Sequence, residues 1–221
     1  MQLTRPRLAR MIDHTLLAPT ATEAEVAALV AEANELGTWS VCVSPSRLPL
    51  PGGAGRVRVA AVAGFPSGQH TAEIKADEAT AAVAAGAHEI DMVIDVGRLL
   101  DGDLVYTEKE VRMVREAVPA PVLLKVILET GVLTDRQVID ACQACERAGA
   151  DYVKTSTGFH PSGGATVHAV EVMRAAVGDR LGIKASGGIR DYPTAVAMVR
   201  AGATRLGMSA SRTVLEQAPA E

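Results

Sequence analysis

The chain has 221 residues, 48% of them hydrophobic, a mean hydropathy of +0.16, a formal net charge of −4 and a pI near 5.8. That is enough apolar material for one large core and predicts a single domain over residues 1–221. The acidic balance argues against a general affinity for phosphodiester backbones, which needs a basic face, so nucleic acid is not an expected partner.

The opening stretch from Met1 to Arg10 is broken by arginines and a proline before any long apolar run develops. It fits neither a secretory signal nor a membrane span, and the expected compartment is the cytoplasm. Cys42, Cys142 and Cys145 are too few and too unevenly placed for a disulfide framework. Cys142 and Cys145 form a C-x-x-C, but they stand at i and i+3 of a helical pattern with no second pair, so a packed helix is favoured over a zinc or redox site.

In chain order, Ile12 to Leu17 reads as a first strand, and Thr22 with Glu25 as a capping box opening a helix that ends at Gly37. Trp39 to Val43 is a second strand, and Val57 to Ala63 a third, ended by Gly64-Phe65-Pro66. A helix from about Thr71 to Ala85 precedes a fourth strand, Glu89 to Ile94. Thr107 with Glu110 has the spacing of another helix start, and Val122 to Leu128 is strand five. Thr134 with Gln137 caps a helix to about Ala148, followed by the short strand Tyr152-Val153-Lys154. Val167 to Val177 is helical, Leu181 to Ala185 a strand, Tyr192 to Ala201 helical, and Arg205 to Met208 the eighth strand. Strict alternation predicts a closed α/β structure, a (β/α)8 TIM barrel.

Ala-Gly-Ala recurs at 85–87, 148–150 and 201–203, each time feeding a strand, and Asp91, Lys154 and Gly207 follow at one common offset. Equal offsets predict that Asp91 and Lys154 stand at one height in the barrel. Asp91, Lys125, Lys154 and Lys184 are the charged residues weighed in the apolar strands. Buried together they are a costly core but a sensible active site at the carboxyl ends of the strands. A nucleophilic lysine must lose its proton, and a second ammonium plus burial favours that loss, which makes Lys184 the neighbour that Lys154 needs. The plainer reading, that a lysine merely pairs with Asp91, is strongest for Lys125. The loops Ser186-Gly187-Gly188-Ile189-Arg190 and Gly207-Met208-Ser209-Ala210-Ser211 follow strands seven and eight, where barrels often bind phosphate.

Several segments resemble the deoxyribose-phosphate aldolase family: Ile12 to Leu17, Val41 to Val43, Gly64 to Pro66, Glu89 to Ile94, Leu124 to Thr130, Val153 to Phe159 and Lys184 to Arg190. The resemblance implies a class I aldolase that interconverts 2-deoxy-D-ribose 5-phosphate with D-glyceraldehyde 3-phosphate and acetaldehyde. It makes Lys154 the Schiff-base lysine, Lys184 its tuning neighbour, Asp91 the acid/base group working with water, and Lys125 an auxiliary charge. Asp13 and Thr15 then lie close to substrate, and Gly158, Gly187, Gly188, Gly207 and Ser209, with Arg190, face the phosphate. The protonated imine serves as the electron sink, so neither metal nor cofactor is expected, and a homodimer or larger homo-oligomer is implied.

Three features depart from the family pattern: Ala18 where many relatives have lysine, Ala210 in the last loop, and a tail from Val214 to Glu221 without a terminal tyrosine. His14, His70, His88, His160 and His168 lack metal-ligand spacing and read as surface or supporting groups. Cys42 faces either the pocket or the core. The rival readings are another Schiff-base barrel, acting on a different phosphosugar or a keto acid, and a non-catalytic phosphate-binding barrel.

Overall fold

Short, largely buried runs form eight strands, and each pairs in parallel with its sequence neighbour until the last meets the first. A computed structural model describes residues 3–220; Met1, Gln2 and Glu221, which end the opening and closing stretches read above, lie outside the described residues. The strands are β1 (Ile12–Leu16), β2 (Ser40–Val43), β3 (Arg58–Ala63), β4 (Glu89–Val93), β5 (Leu123–Ile127), β6 (Tyr152–Lys154), β7 (Gly182–Ser186) and β8 (Arg205–Met208). The helices are α1 (Arg5–Ala9), α2 (Glu23–Leu36), α3 (Ala72–Ala84), α4 (Val96–Leu100), α5 (Leu104–Ala117), α6 (Asp135–Arg147), α7 (Val167–Val177), α8 (Tyr192–Ala201) and α9 (Ser211–Glu216). The architecture is the expected (β/α)8 barrel. No helix among the described residues is long and apolar enough to cross a membrane.

Helix starts follow local chemistry. Thr22 and Thr134 form full capping boxes with Glu25 and Gln137, as their spacing predicts. The Thr107 start is wrong: α5 begins three residues earlier, where the Asp103 carboxylate accepts from the Tyr106 amide at 3.0 Å. Thr107 instead turns its hydroxyl back to the Asp103 carbonyl, and Glu110 is buried. The short helices α1, α4 and α9 are additions to the sequence reading. Each spans too few residues to show a helical period, and α4 carries a glycine.

The apolar core lies between the barrel and its helices. Outward residues Ile90, Met92, Leu124, Val126, Val153 and Ile183 join Val111 and Val114 of α5, Val138 of α6 and Met173 of α7 in one buried cluster. Cys142 and Cys145 belong to it; both are reduced, with burial raising the Cys142 thiol to about 12 and the Cys145 thiol well above its usual value. The favoured packed-helix reading fits this placement.

Between α3 and α5 lies a fully buried ion pair, Lys75 to Glu110 at 2.6 Å. The second Glu110 oxygen accepts from the Asp95 amide at 2.8 Å, and Gly64 is packed against the Lys75 stem. The pair thereby ties the ends of β3 and β4 to the helical layer. Removing one partner strands a buried charge, so Lys75→Met is expected to cost about 3 kcal/mol in urea denaturation. The double variant Lys75→Met/Glu110→Gln should recover at least about half of that loss; equal destabilisation of single and double variants would contradict the pairing.

Candidate active site

The stagger of a closed barrel decides which inward side chains are level with one another. Asp91 pairs with Lys125 and Lys125 with Tyr152, so the residue of β6 level with Asp91 is Lys154, two positions beyond that partner. The same step leads from Lys154 past Lys184 and Arg205 to Gly207, and from there to Cys42. Cys42, Asp91, Lys154 and Gly207 therefore form one layer from the even strands. The common offset after the Ala-Gly-Ala turns had picked out three of its members. Asp13, Ala60, Lys125 and Lys184 form the layer just beneath, from the odd strands.

Asp91 is the hub. Its Oδ2 accepts from Lys154 Nζ and Lys184 Nζ, both at 2.7 Å, and its Oδ1 from Lys125 Nζ at 2.8 Å. Asp13 accepts from Lys184 at 2.5 Å, and through Oδ1 from Ser40 at 2.7 Å and Arg205 at 2.8 Å. Lys125 also lies 2.6 Å from Glu89. All these groups are buried. Pairing with Asp91, weighed above mainly for Lys125, holds for all three lysines. Pairing and an active-site placement therefore coexist.

Formally, the carboxylates of Asp13, Glu89 and Asp91 face the larger set of cations Lys125, Lys154, Lys184 and Arg205. Burial disfavours every charge here, and the outcome differs from lysine to lysine. For Lys184 the carboxylates of Asp13 and Asp91 outweigh burial and hold the ammonium above the ordinary lysine value; for Lys125, Asp91 and Asp13 do the same. Lys154 has only Asp91, shared with the other two. Burial prevails there, Lys184 adds its repulsion, and the Lys154 pKa is lowered. Asp91 itself is kept well below the usual carboxylate range: burial works against this, but Lys125, Lys154 and Lys184 together outweigh it.

Above this network opens a cleft of about 500 Å³ at the carboxyl ends of the strands. Lys154, 3% exposed, is the one lysine among its lining residues. Thr15, Gly158, Gly187, Gly188, Arg190, Gly207 and Ser209 also line it, while Asp13, Asp91, Lys125 and Lys184 lie in the barrel interior below. Gly207 is required by close approach, because a Cβ there would meet Ser186 Oγ and come within 3.0 Å of Lys184 Cε. Gly187, at φ +87°, lies against Gly164 and Gly158, which lets the loops after β6 and β7 cross. Arg190 is exposed and has no ion-pair partner among the described residues.

Glu89, Arg205 and the Glu129 clasp escaped the sequence reading, while the structure gives Ser186, His14 and Cys42, already named there, their places. Glu89 and Arg205 stand two positions before Asp91 and Gly207, on the same inward face, so the period of two could have found them. Ser186 Oγ is buried at the cleft with no hydrogen-bond partner among the described residues. Glu129 is the only non-glycine residue with positive φ (58°) among those described, and its buried carboxylate accepts from Thr157 Oγ1 at 2.5 Å. That clasp fixes the loop carrying Gly158, and it depends on a backbone conformation that sequence does not display. His14 is also buried, between Glu32 at 3.0 Å and Ser211 at 2.8 Å, pointing away from the cleft. Ser211 is thus occupied and does not replace the hydroxyl missing at Ala210. Cys42 sits in the Lys154 layer, fully buried, with burial raising its thiol pKa.

A (β/α)8 barrel with a lysine of lowered pKa at its mouth, set over buried carboxylates, has the framework of a barrel aldolase. Residues 7–217 match the model of the DeoC/LacD family of aldolases, and the chain belongs to that family. It is 58% identical to the deoxyribose-phosphate aldolase of Kocuria rhizophila over 97% of this chain and 98% of that protein. It is 59% identical to that of Mycobacterium tuberculosis, over 97% of each. Among solved structures, the tetrameric deoxyribose phosphate aldolase from Aeropyrum pernix superposes with a TM-score of 0.89 at 37% identity, covering 96% of this chain and 91% of that one.

Proposed function

We propose that this chain is a deoxyribose-phosphate aldolase, reversibly cleaving 2-deoxy-D-ribose 5-phosphate to D-glyceraldehyde 3-phosphate and acetaldehyde through a Schiff base on Lys154. The observation that carries this reading is the contrast among the three interior lysines. Lys154 alone has a lowered pKa, and it is the one that lines the cleft. Its neutral amine attacks C1 of the open-chain sugar, and loss of water gives a protonated imine that draws electrons from the C2–C3 bond. That bond breaks as the 3-hydroxyl gives up its proton, releasing glyceraldehyde 3-phosphate and leaving an enamine on Lys154. Protonation of the enamine carbon and hydrolysis of the imine then release acetaldehyde and regenerate the amine.

Asp91 and Lys184 with solvent water handle these protons. Asp91, anionic at rest among its ammonium neighbours, takes up a proton only transiently, accepting it from one of water, substrate or a neighbouring ammonium and passing it to another. Lys184, kept charged by two carboxylates, repels a proton from Lys154 and steadies each anionic oxygen that forms beside it. Lys125 holds the other Asp91 oxygen. Asp13 and Thr15 shape the floor on the β1 side, and the unpartnered Ser186 hydroxyl is placed to bond a substrate hydroxyl. Arg190 and the backbone of Gly158, Gly187, Gly188, Gly207 and Ser209 hold the phosphate and so align the reacting carbons. The tetramer described for the Aeropyrum pernix relative supports a homo-oligomer here too, and a cytoplasmic location suits a phosphosugar substrate.

In a deoxyribose 5-phosphate cleavage assay, Lys154→Leu is expected to lower activity by at least about a thousandfold, and to abolish the adduct that borohydride traps with acetaldehyde. Retained cleavage, or an adduct mapped to another lysine, would overturn the mechanism. Arg190→Ala is expected to raise KM about tenfold for the phosphorylated sugar, and to leave the unphosphorylated sugar nearly unchanged. Equal losses on both substrates would remove Arg190 from the phosphate site.

A further inference from the structure

Beneath the two layers that hold the interior lysines lies a third. Ser40, Glu89, Tyr152 and Arg205 fill it from the even strands, each two positions before a member of the Lys154 layer. Arg205 Nη1 donates to Asp13 at 2.8 Å and to Glu89 at 3.1 Å, with its guanidinium over the Trp39 ring at 4.7 Å and the Tyr152 ring at 5.5 Å. Glu89 accepts from Trp39 Nε1 at 2.7 Å and lies 2.6 Å from Lys125 and 3.5 Å from the half-exposed Arg58. Both residues are buried, and neither lines the cleft.

We propose that Glu89 and Arg205 are positioning residues that set the charge state of Lys154 from below, through Lys125 and Asp13, without touching substrate. Glu89 shares Lys125 with Asp91, so less of the Lys125 charge falls on Asp91 and more of that carboxylate is left to stabilise an ammonium on Lys154. Arg205 draws Asp13 and Glu89 the other way. By occupying them it leaves Lys125 and Lys184 more dependent on Asp91, which disfavours the Lys154 ammonium. The remaining charged or titratable groups facing this chain of contacts are Asp13 on β1, Cys42 on β2, Arg58 on β3, Asp91 on β4, Lys125 on β5, Tyr152 and Lys154 on β6 and Lys184 on β7. The two residues therefore act with opposite sign. Loss of the Glu89 charge should make Lys154 easier to deprotonate, and loss of the Arg205 charge should make it harder.

This inference rests on Lys154 being the Schiff-base residue, so the first measurement is the mapping of the acetaldehyde–borohydride adduct in the unaltered protein; an adduct elsewhere defeats that reading itself. The second is the pH dependence of the trapping rate and of kcat/KM for deoxyribose 5-phosphate. Glu89→Gln keeps an acceptor for Trp39, and it is expected to move the acidic limb down by roughly one pH unit. Arg205→Gln is expected to move that limb up by a similar amount, and Arg205→Lys, which keeps the charge, to return it toward the unaltered position. Glu89→Gln and Arg205→Lys still decide the matter if Arg205→Gln does not fold. With the adduct confirmed on Lys154, unmoved limbs, or limbs displaced in the same direction by both charge removals, would overturn the proposal and leave the pair a purely structural brace.

Discussion

One carboxylate shared among three ammonium groups governs the interior of this barrel. A buried charge is tolerated only where an opposite charge compensates it, and Asp91 must compensate Lys125, Lys154 and Lys184 at once. Lys125 and Lys184 each have further carboxylate partners, at Glu89 and Asp13; Lys154 has none. When that lysine alone is neutral, the formal charges of the interior balance. The chemistry proposed for the cleft is thus a consequence of how the core resolves its own electrostatics.

The barrel makes this sharing possible. Its stagger brings residues from alternate strands to one height, so Asp91 on β4 meets a lysine on β6, the next strand but one, while its direct neighbour on β5 holds it from the side. Gly207 completes that layer by leaving space where any side chain would push into Lys184 and Ser186. The crossing of the β6 and β7 loops and the Glu129 clasp then shape the mouth over Lys154. Helices α3 and α5 support the rim through Lys75 and Glu110, an ion pair of the more usual kind, with one charge on each side.

Much of this was legible in the chain. The eight strands follow from short apolar runs alternating with helices and turn residues, and their ends fall within about a residue of those read from sequence. The repeated turn before Asp91, Lys154 and Gly207 marked one layer, because equal strand lengths after a turn reach equal heights. Other features resisted for physical reasons. Asp103 displaced Thr107 as a cap because both have the right chemistry and only the tertiary position of Glu110 decides between them. The roles of Glu89 and Arg205 depend on which side chains meet across the axis, and the positive φ of Glu129 depends on the loop it clasps. Ser186 and Ser211 look alike in sequence, yet one hydroxyl waits in the cleft and the other is taken by His14.

The central claim is that Lys154 gives up its proton more readily than the other interior lysines, because burial and Lys184 lower its pKa while carboxylates raise theirs. Site-resolved NMR titration of the lysine Nζ groups in isotopically labelled protein, assigned by loss of the corresponding signal in Lys154→Leu, addresses it directly. Lys154 should titrate clearly below the ordinary lysine value of about 10.4, with Lys125 and Lys184 still protonated beyond it. Prior deprotonation of Lys184 or Lys125, or joint titration of all three near the ordinary value, would contradict the account.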